Sequence, residues 1–354
     1  MKYFYLVVLI VLYPAKKLLP QIQYFYKGRD FGSEAEYNPV NLILNGSFDI
    51  IQLENHVRKI DEIHYKEGTT NVLRNLGNPF KAINSYGWNK FISDELLPID
   101  ITKKGAQWWP NYQLHLIGGG MTFISMKEWY EFHNYPSPVL MSLSTMIVYH
   151  LLNEIVENDS YVGNNVDPIA DIYFFDTGGI ILFSLKSVRK FFSEKLNLSD
   201  WSLQPSFLVN DFSLQNNGQY FSIKWKLPFS NTFHIFYYFG MNGLIGVSYK
   251  FTGDRFLSFG AGLRNKELIV VNQNTNKKTA DLTWNFGLFY DVQNSLMSSI
   301  TVSGLTDYKI DINIYPGLIK IGPFSPGLWC VINNDGKMLL GLSTIWLPGL
   351  GFRF

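Results

Sequence analysis

The chain has 354 residues, with 30 lysines and arginines against 29 aspartates and glutamates and a formal net charge of +1. No basic stripe runs along any predicted element, so a partner held by bulk positive charge, nucleic acid above all, is excluded. A single cysteine, Cys330, excludes an internal disulfide and a multi-thiolate metal cluster. The 28 Phe, 21 Tyr and 9 Trp beside only 17% charged residues suit a membrane barrel with aromatic girdles better than an ordinary soluble domain.

Residues 1–22 read as a secretory signal peptide. Met1-Lys2 gives a positive start, Tyr3 to Tyr13 an apolar run of roughly 11 residues, and Pro14-Ala15 a small residue after it. The run is too short for a transmembrane helix. An uncleaved inner-membrane anchor is the alternative, and Gln21 or Gln23 would begin the mature chain. Residues 23–77 form a linker in which Leu42, Leu44 and Ile51, around Asn45-Gly46, supply a possible first barrel strand pairing with the last.

Over 78–200 the apolar period becomes about 3.6, which predicts helices. Asn78-Pro79 is an N-cap followed by a first-turn proline, leading Phe80, Ile83, Trp88 and Phe91 down one face. Trp108-Trp109-Pro110-Asn111-Tyr112 reads as an interfacial aromatic anchor, with stacking on a sugar as the lesser reading. A second helix is expected from Leu114 to His133, its Gly118-Gly119-Gly120, Thr122 and Ser125 allowing close approach to a third from Pro138 to Glu157. On that third helix Ser142, Thr145, Tyr149, Asn153 and Glu157 make a polar seam, flanked by His150 and Glu154 at i,i+4 spacing. Asp167-Pro168 opens a further helix, Asp171 lies one turn on, and Gly178-Gly179 are expected to end it.

Across Trp108 to Leu182, a His on one helix, an Asn-Glu pair late in the next and an Asp opening a third resemble small bacterial membrane-associated domains of the VanZ and YfiM type. The candidate catalytic residues are His115, Glu154 and Asp171; the candidate binding residues are Asn153, Asp167, His150, Trp108 and Trp109. A His beside a carboxylate at low dielectric is suited to general-base hydrolysis of a lipid ester or phosphate. Ser125, Ser142 and Ser144 are the available nucleophiles, though none stands in a Gly-x-Ser-x-Gly setting. A metal site of His115, His150 and Glu154 is conceivable without a His-Glu-x-x-His pattern, but no metal or cofactor is expected. The competing reading is a polar network that locks the helices together.

From 201 to 354 the pattern alternates with period two, broken by short Gly/Asn/Asp turns. Ile245, Val247, Tyr249 and Phe251 oppose Gly246, Ser248 and Lys250; Trp284, Phe286 and Leu288 oppose Asn285 and Gly287. At the end, Trp346, Leu350, Phe352 and Phe354 line one face. This ending resembles the closing strand of Gram-negative outer-membrane β-barrels, and the whole chain resembles an uncharacterised family of such proteins defined only as a domain of unknown function. The resemblance implies an outer-membrane location, with membrane lipids and the barrel assembly machinery, which reads the strand ending in Phe354, as partners.

The expected fold class is α+β. It is a transmembrane antiparallel β-barrel of roughly 10–12 strands, with an N-terminal helical segment packed against or within it. The expected role is envelope structure or lipid handling. The alternatives are a barrel-embedded lipid-modifying hydrolase and a narrow channel lined by Lys224, Lys226, Lys250, Lys309 and Asp311.

Overall fold

The computed structural model describes residues 23–98, 109–272, 277–345 and 347–354. The expected signal peptide, Trp108 and Trp346 lie outside the described residues. The chain is an α+β protein: helices occupy its first half, and one large, mostly antiparallel sheet occupies its second.

The α-helices, in chain order, are α1 (Pro39–Gly46), α2 (Tyr65–Gly77), α3 (Pro79–Tyr86), α4 (Trp88–Phe91), α5 (Gly120–Phe132), α6 (Pro138–Asn158), α7 (Thr177–Ser184) and α8 (Lys186–Lys190). Wider π-helical turns, Trp109–Gly119 and Ile169–Asp176, run directly into α5 and α7. The expected strand near 40–51 is instead α1 followed by a 3-10 turn, Asp49–Gln52. Asn38 explains the correction: its side chain accepts from the backbone of Val40 and Asn41, and Pro39 presets the first turn. A second correction concerns Gly178-Gly179, which lie inside α7 rather than ending a helix. A Cβ on Gly179 would lie 2.4 Å from the Leu116 carbonyl oxygen, and one on Gly120 would lie 2.6 Å from that of Gly179. These glycines let two backbones touch. The tight approach therefore joins the start of α5 to α7, while α5 and α6 are linked by Ser142 Oγ donating to the Phe123 carbonyl (2.7 Å) and by the Tyr130–Thr145 hydroxyl pair (2.8 Å).

Among the described residues the sheet has thirteen strands. They are β1 (Ser199–Asp200), β2 (Ser206–Leu208), β3 (Leu214–Gln215), β4 (Phe221–Lys226), β5 (Phe233–Phe239), β6 (Asn242–Lys250) and β7 (Arg255–Asn272), followed by β8 (Lys277–Val292), β9 (Ser295–Ser303), β10 (Ile310–Ile314), β11 (Gly327–Ile332), β12 (Met338–Thr344) and β13 (Leu347–Arg353). From β4 to β13 each pairs antiparallel with the next. β1 adds to β4, β13 takes β2 in parallel, and β3 adds to β2. Between the short pieces the backbone stays bonded, Trp201 N donating to Tyr220 O (2.8 Å) and Leu203 N to Gly218 O (3.0 Å).

Register carries one face of the sheet from strand to strand: Lys224 lies opposite Phe236, Ser248 opposite Ser258, and Phe289 opposite Ser299. That face is buried. Trp201, Tyr220, Phe236, Tyr238, Phe289 and Tyr315 pack on it, and Lys224 pairs with Asp291. Residues 33–58 also bond to it: Ser343 donates to Glu36, Tyr220 and Arg264 donate to Gln52, and the Thr306 amide donates to Glu54. Asn45 bridges two strand segments directly, accepting from Gly218 N and donating to Leu203 O, both at 2.9 Å.

The opposite face carries exposed Trp225, Ile235, Ile245, Val247, Phe259, Phe286 and Leu288. At one end of β4 and β5 this same face, through Phe221, Ile223, Tyr237 and Phe239, joins one apolar cluster with α5, α6 and α7, and Tyr237 meets Trp109 and Gln113 on the first π-helical turn. The helical segment therefore lies against the sheet.

Candidate functional site

The site forms where the two π-helical turns meet α6. Trp109–Gly119 brings His115, Ile169–Asp176 brings Asp171 and Asp176, and α6 brings His150 and Glu154 one turn apart. Bonding from i to i+5 widens these turns, a feature frequent at functional positions. It also decides which side chains converge. In an α-helix residues five apart point roughly 140° away from each other, whereas in the wider π-turn the offset falls to roughly 50°, so Asp171 and Asp176 can both face His115.

His115 sits between them. Its Nδ1 is 3.0 Å from Asp176 Oδ1 in hydrogen-bond geometry, and its Nε2 is 3.5 Å from Asp171 Oδ2. Glu154 completes one group, since ligand-type atoms of His115, Glu154 and Asp171 all lie within 4.8 Å of one another; His115, His150 and Asp176 satisfy the same limit. His150 Nδ1 is 3.0 Å from Asp176 Oδ2 but off the line a hydrogen bond needs, and neither ring nitrogen of His150 has a hydrogen-bond partner among the described residues. Asp171 Oδ1 also lacks one. His150, Glu154, Asp171 and Asp176 are buried, and the His115 side chain is 12% exposed.

The electrostatics follow from that burial. Desolvation alone would depress His115, but the Asp176 carboxylate outweighs it and holds the imidazole up at about 9. Asp167, half-buried near the start of the same π-turn, is raised to about 6 by burial and then by the Glu157 carboxylate. The cluster holds more acid than base.

The expected catalytic set, His115, Glu154 and Asp171, thus comes together, and His150 joins it. Asn153 does not: its amide donates to the Gly46 carbonyl (3.0 Å), tying α6 to α1. Trp109 is also elsewhere, its indole N–H donating to Gly240 O (3.2 Å) and its ring resting edge-on to Tyr237 over Gly243. It packs on the sheet and is half-exposed. Of the serines weighed as nucleophiles, Ser142 donates to Phe123 O, Ser144 is exposed, Ser125 is buried, and no hydrogen bond joins any of them to His115 among the described residues. Asp176 is the residue missed from the sequence. The available signal was a second acid, five residues after Asp171, within the apolar run from Ile169 to Phe183.

No protein-family model, no curated protein and no solved structure matches the chain. The likeness to VanZ- and YfiM-type domains rests on residue pattern alone.

Proposed function

We propose that this chain is a plugged β-barrel protein of the Gram-negative outer membrane, engaged in handling envelope lipids, with its working groups on the flanking helices rather than in a pore. The observation that carries this reading is the inverted sheet. Ile245, Val247, Phe259, Phe286, Leu288 and Leu342 face outward and exposed, while Lys224, Ser248, Ser258, Asn285, Asp291 and Asn313 are enclosed. Each large apolar side chain left in water forgoes about 1.5–3 kcal/mol of burial, which a lipid environment restores; lipid-facing apolar and inward polar alternation is how membrane barrels are built.

Ring closure is part of the proposal. β1 and β2 pair with β4 and β3 in a single register, Ser199 opposite Ser222 and Ser206 opposite Gln215. Counting β1 with β2 and β3 with β4 as one strand each turns the thirteen segments into eleven. In a ring of consecutive antiparallel strands, an odd number leaves the first and last running the same way. β13 and β2 are parallel. Closure also removes the free edges that lipid does not tolerate.

The aromatic rings and residues 33–58 on the buried face weigh against the channel reading. Lys226 and Lys309, expected to line a lumen, are exposed. Phe354 and its neighbours Leu350 and Phe352 are exposed on the last strand, available to assembly machinery and then to lipid.

Carbonate extraction of expressing cells, followed by electrophoresis with and without boiling, tests the reading. Retention in the membrane pellet and a boiling-dependent shift in migration are expected; recovery in the soluble fraction sinks the barrel. A second reading, hydrolysis of a lipid ester or phosphate, is favoured by the His115–Asp176 contact. An envelope lipid profile unchanged by His115→Ala would remove it.

A further inference from the structure

We propose that His115 Nε2, Glu154 and Asp171 bind a divalent transition-metal ion of the zinc class, with Asp176 holding His115 in the ligating orientation and tautomer. The inference stands whether or not the sheet crosses a membrane.

Geometry comes first. Zinc lies about 2.0–2.2 Å from imidazole nitrogen and carboxylate oxygen, so two of its ligands stand roughly 3–3.5 Å apart. His115 Nε2 and Asp171 Oδ2 are 3.5 Å apart, and Glu154 offers an oxygen within the same 4.8 Å cluster. The three come from three different helical elements, so the site is built by tertiary packing, not by a run of acids on one surface.

Charge points the same way. Glu154, Asp171 and Asp176 are all buried, and no lysine or arginine forms an ion pair with them among the described residues. The single imidazolium of His115 does not balance three buried carboxylates, and such groups are costly unless they are paired or coordinate a metal, which would displace the His115 proton. Asp171, 5% exposed, turns Oδ2 to His115, and its Oδ1 has no hydrogen-bond partner among the described residues.

Asp176 supplies the outer contact that metal-bound histidines regularly show. A carboxylate accepting from one ring nitrogen leaves the other as a free lone pair of fixed direction. Here Nδ1 bonds to Asp176, and Nε2 faces Asp171. A nitrogen-and-oxygen set of three suits zinc-class ions better than calcium, which takes six to eight oxygens, or magnesium, which keeps its waters. Three protein ligands also leave the fourth position open to water or a substrate oxygen.

The rival group, His115 with His150 and Asp176, is separated from this one by mutation. The full chain, stripped of metal in detergent, is titrated with zinc chloride, and bound zinc per chain is counted by mass spectrometry after gel filtration. Near-ultraviolet circular dichroism verifies the fold of each variant. One equivalent is expected for the wild type. Glu154→Gln and Asp171→Asn, nearly isosteric and relieved of a buried charge, should fold and lose it; His115→Ala should lose it as well. Asp176→Asn should weaken binding by roughly 10- to 100-fold, and His150→Ala should keep the ion. A wild type without a stoichiometric equivalent overturns the proposal. So does zinc retained by folded Glu154→Gln or Asp171→Asn, and zinc lost from His150→Ala while Glu154→Gln retains it assigns the ion to the rival group instead.

Discussion

Lys224 and Asp291 are wholly buried, bonded to each other, with the Lys224 ammonium also 4.1 Å from the centre of the Phe256 ring. Removing one partner of such a pair strands a charge and costs about 3–5 kcal/mol, whereas replacing both with apolar groups of similar size is often neutral. Asp291→Asn should therefore lower the unfolding free energy in urea by about that amount, and Lys224→Met with Asp291→Leu should recover most of it. A double mutant as unstable as the single would contradict this account. Glu36 makes a pH-dependent counterpart. Burial pushes its carboxyl up to about 8, against the lowering pull of Ser343. An acid raised in the folded state holds its proton longer there, so its contribution is complete below the ordinary glutamate value and is lost as pH climbs towards 8. Glu36→Gln should be more stable than the wild type at pH 8 and about equal at pH 5, read from denaturation midpoints at the two pH values. At this scale the sequence reveals candidates, not contacts. His115, Glu154 and Asp171 stand out as ionisable groups on apolar elements, but Asp176 was hidden because a period of 3.6 turns it away from Asp171, and only the wider turn brings it round.

The helical elements meet through their smallest residues. Gly179 leaves no room for a side chain against the Leu116 carbonyl, and backbone cannot give way as a flexible side chain does. Gly179→Ala should destabilise the folded protein by about 1–3 kcal/mol through forced separation, measurable as a lower thermal midpoint; an unchanged midpoint would mean the approach is looser than described. Asn45 is the corresponding contact on the sheet side. Asn45→Ala leaves Gly218 N and Leu203 O unpaired, a loss of about 1–3 kcal/mol for each buried group. The long helix over 138–158 was legible because its polar seam repeats over several turns. The first barrel strand expected near 40–51 was misread because Leu42, Leu44 and Ile51 fit either period over so short a run, and the capping bonds of Asn38 decide for helix.

For the whole molecule, alternation was the strong signal, since β4 to β9 repeat it over many residues with turns between. The seam was not readable, because it joins β13 to β2 over a long span of chain and depends on a register that no local pattern encodes. The filling of the interior was equally silent, as residues 33–58 mix polar and apolar groups without a period of their own. If the outward band lies in lipid, Leu288→Arg should reduce folding stability in phospholipid vesicles by about 2–4 kcal/mol, with a far smaller effect in urea-free aqueous detergent. Planar bilayers should show no discrete conductance from the intact chain, and steady single-channel steps would contradict the filled interior.

The segment that fills the sheet precedes every strand that surrounds it. Residues 33–58 reach Ser343 on β12 and Thr306 beyond β9, so in the closed ring proposed above they must already be in place when the last strand joins the first. Once the seam is zipped, nothing so bulky can enter from the side. Timing is thus written into the order of the chain. A polypeptide lacking 33–58, later offered that segment as a free peptide, should not regain the native unfolding profile, whereas the two pieces refolded together should.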